Sequence, residues 1–181
     1  MRFRPIHWAG RFFGMLWPRP PSAEDGAWAE SWLDEAEVRL WRKMAVGDQR
    51  HALDVARTTD EGLDAALTAA AAMGDDRRRA AMAAALLHDV GKTAAGLGVY
   101  GRSVATLCGL LAGEMAEAWQ AKQGFTRKVG LYLRYGEIGA DQLRLAGSHP
   151  WVVAWSTEHH LGPEDWSLPR PIGELLVAAD R

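Results

Sequence analysis

The most constraining feature of this sequence is the spacing of its apolar residues. Between residues 28 and 41, large apolar side chains recur at intervals of three, four and one, which is the spacing of one face of an α-helix. Comparable spacing recurs in most later segments, and no run alternates between apolar and polar residues as a half-buried strand would. Glycine and proline mark most of the joints between segments. The sequence therefore predicts an all-α protein, a compact bundle of about eight or nine helices.

Capping residues and helix breakers give approximate bounds for these helices. Ser22 is a good N-cap residue, and the acidic Glu24 and Asp25 follow it in a first turn, which favours a helix start there. Asp76 should cap the fourth helix in the same way. The predicted helical segments are, in order, residues 23–41, 48–58, 60–73, 77–89, 101–121, 124–135, 137–147, 149–160 and 171–180.

Residues 1–22 differ in composition from the rest of the chain. Four prolines and four arginines are interspersed there with large aromatic side chains. We expect a flexible basic and aromatic arm over residues 1–22 and a helical domain over residues 23–181, with packing of the arm on the domain or on a lipid surface as alternatives. No apolar run reaches the roughly 18 residues that a membrane span needs, which argues against a membrane partner elsewhere.

Composition narrows the class of protein further. Apolar residues make up 48% of the chain, enough for a globular core rather than a disordered segment. The 21 basic and 23 acidic residues give a net charge of −2, which argues against a nucleic-acid partner. The single cysteine, Cys108, cannot form an internal disulfide. We therefore expect a cytoplasmic protein, while the oligomeric state is left open.

A helix that is apolar on nearly every side is predicted to end in an imidazole and a carboxylate. Residues 79–87 read Arg-Ala-Ala-Met-Ala-Ala-Ala-Leu-Leu, and His88 and Asp89 follow directly. In one interpretation the pair is structural: His88 bonds to a backbone carbonyl, and Asp89 pairs with Lys92. In the other interpretation the partner is a divalent cation, because an unpaired buried carboxylate is costly and a cation accepts neutral imidazole and ionised carboxylate together.

The segment of residues 88–92, His-Asp-Val-Gly-Lys, resembles the signature of the HD-domain superfamily of metal-dependent phosphohydrolases. That family is all-helical. Its metal ligands are a histidine from an upstream helix, the His-Asp doublet, and an aspartate from a late helix. The resemblance assigns these roles to His51, to His88 and Asp89, and to Asp180, which ends an apolar segment as the family's last aspartate does.

The resemblance covers about residues 40–181 and implies hydrolysis of a phosphate ester, such as a nucleotide or a related small phosphorylated metabolite. Mixed imidazole and carboxylate ligation suits Mn²⁺, Fe²⁺, Co²⁺, Ni²⁺, Zn²⁺ or Mg²⁺. We assign Asp89 two roles, as a metal ligand and as the group that orients the attacking water. Lys92 should reach a substrate phosphate, or else favour the helix C-terminus as an exposed lysine. Arg102, after a glycine-rich loop, is a second candidate for substrate binding or a surface charge.

A second likeness, to the two-metal HD-GYP subfamily, is incomplete. Residues 134–140, Arg-Tyr-Gly-Glu-Ile-Gly-Ala, resemble its His-Pro-Glu-x-Gly-Ala segment, and His159 and His160 resemble its His-His doublet. Tyr135 stands where that subfamily has a metal-binding histidine, and the Gly-Tyr-Pro loop is absent. The two histidines therefore have three interpretations: a second metal site short of one ligand, a site for substrate phosphate, or side chains that point to solvent. The same departures favour an alternative function, a regulatory or sensing module with a degraded active site.

Overall fold

The structure is a computed structural model that describes residues 20–181. In this part of the chain all regular secondary structure is helical, which confirms the predicted all-α class. Nine of the α-helices described have seven or more residues. The α-helices are α1 (Ala23–Ser31), α2 (Glu35–Trp41), α3 (Val46–Ala69), α4 (Asp75–Leu87), α5 (Val99–Ala112), α6 (Ala116–Gln120), α7 (Gly124–Leu133), α8 (Tyr135–Ala146), α9 (Pro150–Glu158) and α10 (Arg170–Ala179). Two 3-10 helices, Val90–Ala95 and Gly113–Met115, follow α4 and α5.

The first predicted helix is divided into α1 and α2. Ser22 caps α1 as predicted, since its hydroxyl accepts a hydrogen bond from the Asp25 backbone amide at 3.0 Å. The apolar face continues from α1 into α2. The helix itself is broken between them, because Asp34 takes an extended conformation and is the N-cap of α2. The backbone amide of Asp34 donates to the Glu37 carboxylate at 3.0 Å, half of a capping box that the spacing of apolar residues does not reveal.

The predicted break near residues 58–60 was wrong, because α3 runs without interruption from Val46 to Ala69. The hydroxyl of Thr59, which is fully buried, donates to the Val55 carbonyl four residues back at 2.8 Å. A threonine satisfied in this way can stay inside a helix even though its hydroxyl also favours turns. The second and third predicted helices are therefore one long helix.

Two other predicted helices extend beyond the observed ones. Residues 70–73 lie outside α3, and Ala71 there takes a positive φ of 49°. Residues 101–121 are shared by α5, a 3-10 helix and α6. In both places the polypeptide turns before the run of helix-forming residues ends, so that composition alone overestimates helix length.

The central helix of the core is α4. All of its residues from Ala80 to Leu87 are buried, and both α3 and α9 pack against it. The last helix, α10, packs on α3. Because α4 is buried to its C-terminus, His88 and Asp89 also lie in the interior, each with only 3% of its surface exposed.

The 3-10 helix after α4 lies against α8 at very short range. A Cβ atom on Gly91 would lie 1.8 Å from the Tyr135 carbonyl oxygen and 2.6 Å from the Gly139 nitrogen, so only glycine fits there. Gly139 is also close to Ser156 of α9, whose hydroxyl donates to the Gly136 carbonyl at 3.0 Å. The main role of Gly91 in the structure is this close packing, which brings the start of α8 against the residues that follow α4.

The predicted arm over residues 1–22 lies outside the described residues, apart from residues 20–22. Within the part of the chain that is described, no single helix is both long and apolar enough to cross a membrane. One bent pair, Asp75–Ala95 with Tyr100–Gln120, meets the length and composition criteria only when its two members are joined.

Candidate metal centre

Four side chains from three separate parts of the chain share one small volume. His51 comes from α3, His88 and Asp89 follow α4, and Asp180 follows α10. The ligand atoms of His51, His88 and Asp89 all lie within 4.8 Å of one another. Asp180 Oδ1 lies 2.7 Å from His51 Nε2 and 3.9 Å from His88 Nε2. The structure thus brings together all four residues that the sequence proposed as ligands of one cation.

The hydrogen bonding of His88 determines which of its nitrogens faces the cluster. Nδ1 donates to the Ala85 carbonyl at 2.9 Å, so the lone pair of the neutral imidazole is on Nε2. Nε2 in turn faces Asp89 Oδ2 at 3.5 Å and Asp180 Oδ1 at 3.9 Å. An acceptor directed at two carboxylates requires a proton or a cation between them. A histidine whose second ring nitrogen donates to a backbone carbonyl is the usual form of a metal ligand, so His88 fits a metal site.

Asp89 is a buried carboxylate that remains ionised. Burial alone would raise the pKa of its carboxyl, but the neighbouring His88 and Lys92 outweigh burial and hold that pKa well below its usual range. Lys92 Nζ donates to Asp89 Oδ2 and lies 4.9 Å from the centre of the Tyr135 ring. With 17% of its side chain exposed, Lys92 is not the surface lysine of the alternative interpretation.

Both contacts of the purely structural interpretation are therefore present, since His88 bonds to a carbonyl and Asp89 pairs with Lys92. They do not account for the whole cluster. They leave His88 Nε2 directed at Asp180, and they leave His51 and Asp180 paired beside it.

The other two candidate ligands form the open side of the cluster. The side chains of His51 and Asp180 are 24% and 32% exposed, whereas those of His88 and Asp89 are almost fully buried. Burial raises the pKa of the Asp180 carboxyl, but the hydrogen bond with His51 and the nearby His88 lower it more, so the net shift is downward. A cation or a substrate would reach the cluster from the side of His51 and Asp180.

Tyr135 joins the two late histidines in a hydrogen-bonded chain. His159 Nδ1 donates to the Trp155 carbonyl at 2.9 Å, and burial beside His88 lowers the His159 pKa to about 4. His159 is therefore neutral, and its Nε2 accepts a hydrogen bond from the Tyr135 hydroxyl at 3.0 Å. His160 Nε2 also contacts this hydroxyl, and the Asp89 carboxylate is a further hydrogen-bond partner of Tyr135.

The hydrogen bonds of Tyr135 bear on the three interpretations of His159 and His160. His159 is only 8% exposed, so it does not point to solvent, and its ring centre lies 5.3 Å from that of His88. The Tyr135 hydroxyl occupies the lone pair of His159 that a second cation would need. In the sequence, Tyr135 stands out only as a departure from a family pattern. Its partners His159 and His160 lie more than twenty residues further along the chain, and no local signal reveals them.

Arg102 forms an ion pair with the buried carboxylate of Asp48, which is not among the candidate site residues of the sequence. Its Nη1 and Nη2 atoms lie 2.5 and 2.7 Å from the two carboxylate oxygens of Asp48, which is 4% exposed. Its Nε donates to the Leu97 carbonyl at 3.1 Å. All three guanidinium nitrogens thus have partners within the chain, although contact with a substrate stays a prediction. In the sequence, Asp48 is only the first residue of the predicted helix 48–58, and its position one turn before His51 is the available signal.

No protein-family model, curated protein or solved structure matches this chain. Any family assignment therefore depends on the residues of the motif and on their arrangement in space.

Proposed function

We propose that this chain is a metal-dependent phosphohydrolase of the HD-domain type, acting on a phosphate ester of a nucleotide or a related small metabolite. The observation that supports the proposal is the convergence of His51, His88, Asp89 and Asp180 on one volume. Two imidazoles and two carboxylates are a ligand set suited to a divalent first-row metal or Mg²⁺. The orientation of His88, with Nδ1 on a carbonyl and Nε2 inward, is consistent with that role.

A divalent cation bound here would polarise a phosphoryl oxygen and lower the pKa of a water toward about 7. The residues of the chain supply orientation and charge. Asp89, ionised and buried, can accept a hydrogen bond from the attacking water and fix its direction. Lys92, already beside Asp89, provides a positive charge within reach of a phosphate oxygen. The exposed His160 lies at the edge of this site and is a further candidate for contact with the substrate.

Metal content and hydrolysis by the purified protein test this proposal. We expect metal-stripped protein to bind one equivalent of a divalent metal and, once loaded, to hydrolyse an aryl phosphate. A panel of nucleotides would then narrow the substrate class. Asp89→Asn keeps the side-chain volume but removes the charge, and we expect it to lose activity by about 100-fold or more.

Asp141→Asn is the matched control, because Asp141 is an exposed carboxylate that pairs with Arg144 on α8. It should keep wild-type metal content and activity. Full metal content and full activity in Asp89→Asn would show that the site is assigned incorrectly.

A second candidate function is a regulatory or sensing module with the same fold. The observation in its favour is the Tyr135 hydroxyl between His159 and His160, where the two-metal relatives of the motif have a ligand. A protein that binds one metal and is stabilised by a nucleotide, but hydrolyses no phosphate ester in the panel, would support this alternative over the enzyme.

A further inference from the structure

Asp48 and Arg102 form an ion pair next to the metal site. Neither is a proposed ligand, but Asp48 lies one helical turn before the proposed ligand His51. The pair is bidentate, with nitrogen–oxygen distances of 2.5 and 2.7 Å, and Asp48 is 4% exposed. An arginine–carboxylate pair of this geometry fixes both distance and orientation, because the guanidinium is planar and its donors are rigidly spaced. Side chains buried to this degree restrain the helices that carry them.

The pair restrains the first turn of α3. Asp48 lies in that turn, and His51 follows three residues later on the same side of the helix. The N-cap residue of α3, Ala45, provides no side-chain hydrogen bond to this turn. The Arg102 guanidinium, through the Asp48 side chain, ties this turn to α5.

The same guanidinium also bonds to the loop between the 3-10 helix and α5. Its Nε donates to the carbonyl of Leu97, two residues beyond the 3-10 helix Val90–Ala95 that begins directly after Asp89. Arg102 itself is in the first turn of α5. One guanidinium thus connects α3, at Asp48, to the loop at Leu97 that joins the 3-10 helix after the doublet to α5.

We infer that Arg102 is a positioning residue that holds the metal ligand His51 in place through Asp48, rather than a residue that contacts the substrate. The inference rests on the proposed metal site. Metal–ligand bonds are about 2.0–2.3 Å long, so a displacement of α3 by about 1 Å takes His51 Nε2 out of bonding range. His51 is open to such a shift because it lies on α3 itself, whereas His88 and Asp89 are held inside the core.

A double-mutant cycle on metal affinity tests the inference. Arg102→Met should weaken Mn²⁺ binding by tenfold or more, measured by calorimetry or by competition with a chelator. Added to His51→Ala, the same substitution should cause no further loss, because Arg102 acts through His51. Losses that add fully in the double variant would overturn the inference. So would an Arg102→Met protein that binds metal normally but has a raised KM for an aryl phosphate, the result expected of a substrate-binding residue.

Arg102→Lys covers the case in which Arg102→Met does not fold, since it keeps the charge and loses the bidentate geometry. The control is Arg78→Met. Arg78 ties the far half of α3 to α4 through Asp64 at 2.9 Å, and its loss should leave metal affinity unchanged. A loss of affinity in Arg78→Met as large as that in the Arg102 variants would contradict a specific role for Arg102.

A readout without metal separates this inference from the proposed function. In metal-free Arg102→Lys, hydrogen exchange of the amides of residues 46–55 should be faster than in the wild type, while exchange in residues 59–69 is unchanged. Unchanged exchange at residues 46–55 would overturn the inference. Failure of the wild-type chain to bind any metal would instead overturn the proposed function, and the exchange data would still decide whether Arg102 positions α3.

Discussion

At the scale of single residues, the hydrogen bond from His88 Nδ1 to the Ala85 carbonyl has the largest chemical consequence. It leaves Nε2 as the nitrogen that faces Asp89 and Asp180. The neighbouring His159 is oriented in the same way, because its Nδ1 donates a hydrogen bond to the Trp155 carbonyl. In both residues a backbone acceptor at the end of a helix selects the ring nitrogen that faces the site.

Acidification should destabilise the metal-free protein through His159. Burial lowers the pKa of this residue to about 4 in the folded protein, whereas a histidine in an unfolded chain has a pKa of about 6.5. The unfolded state therefore takes up the proton first. The stability contributed by neutral His159 is present above about pH 6.5 and is lost as the pH falls toward 4, by up to about 1.4 kcal/mol per pH unit.

Urea unfolding at pH 7, 6 and 5 in the presence of a chelator measures this effect. His159→Gln, which cannot take up a proton in this range, should show a smaller fall in unfolding free energy than the wild type. The same pH dependence in both proteins would contradict the prediction.

Tyr135→His should increase the number of metal ions bound per chain. The substitution replaces the phenol that occupies His159 Nε2 with an imidazole beside His159 and His160. Elemental analysis of metal-loaded protein would measure the ratio, with Tyr135→Phe as the control that removes the hydroxyl without adding a ligand. A ratio of one in all three proteins, with no metal lost in His159→Ala, would rule out a second site.

At the scale of elements, the contact between the 3-10 helix Val90–Ala95 and α8 has the least tolerance for change. Gly91 meets the backbone of Tyr135 and Gly139 at distances that leave no room for a Cβ atom. Through this contact the segment after the doublet sets the position of Tyr135, and Tyr135 in turn holds His159. The packing of two short elements therefore determines the geometry of one edge of the site.

Gly91→Ala should destabilise the protein by about 1–3 kcal/mol or more, because the backbone of α8 must move to admit the methyl group. Gly26→Ala is the matched control in α1, where an added Cβ meets no atom within 4 Å. There the loss of glycine's backbone freedom should stabilise the protein by about 0.5–1 kcal/mol. Denaturant unfolding of both variants gives the comparison, and equal effects of the two substitutions would show that the contact is looser than described.

At the scale of the whole molecule, the candidate site joins the third helix of the described chain to its last helix. His51 is on α3, near its N-terminal end, and Asp180 directly follows α10, the last helix. The packing of α10 on α3 brings these two residues to 2.7 Å. Every described residue that the site uses lies between Asp48 and Asp180, and none lies in the first twenty residues of the sequence.

Deletion of residues 1–19 should therefore leave metal binding and hydrolysis nearly unchanged. The deletion stops before Ser22, because this residue caps α1. Thermal unfolding and metal content of the shortened and full-length chains provide the measurement. Ser22→Ala in the full-length chain shows the cost of losing the cap alone, about 0.5–2 kcal/mol. A shortened protein that loses its metal or unfolds at a much lower temperature would show that the arm belongs to the core.

The sequence by itself determined the helical class and the candidate ligands. Helical periodicity is a local property that the order of residues contains, and a carboxylate beside an imidazole in an apolar run indicates a buried polar site wherever the chain folds. The N-cap at Ser22 was predicted for the same reason, because a capping hydroxyl bonds to an amide only three residues away. The predicted cap at Asp76 was wrong, because α4 already begins at Asp75 and Gly74 is its N-cap.

Only the tertiary structure decided that α3 is one helix, that Tyr135 lies between His159 and His160, and that Arg102 pairs with Asp48. In each case the deciding contact joins residues on different turns or different helices. The energy of a buried hydrogen bond or ion pair depends on which groups the packing brings together, and local propensity contains no information about that. The buried His88–Asp89 pair could thus be predicted from its neighbours and His51 and Asp180 proposed from the family resemblance, while the residues that position them could not be predicted.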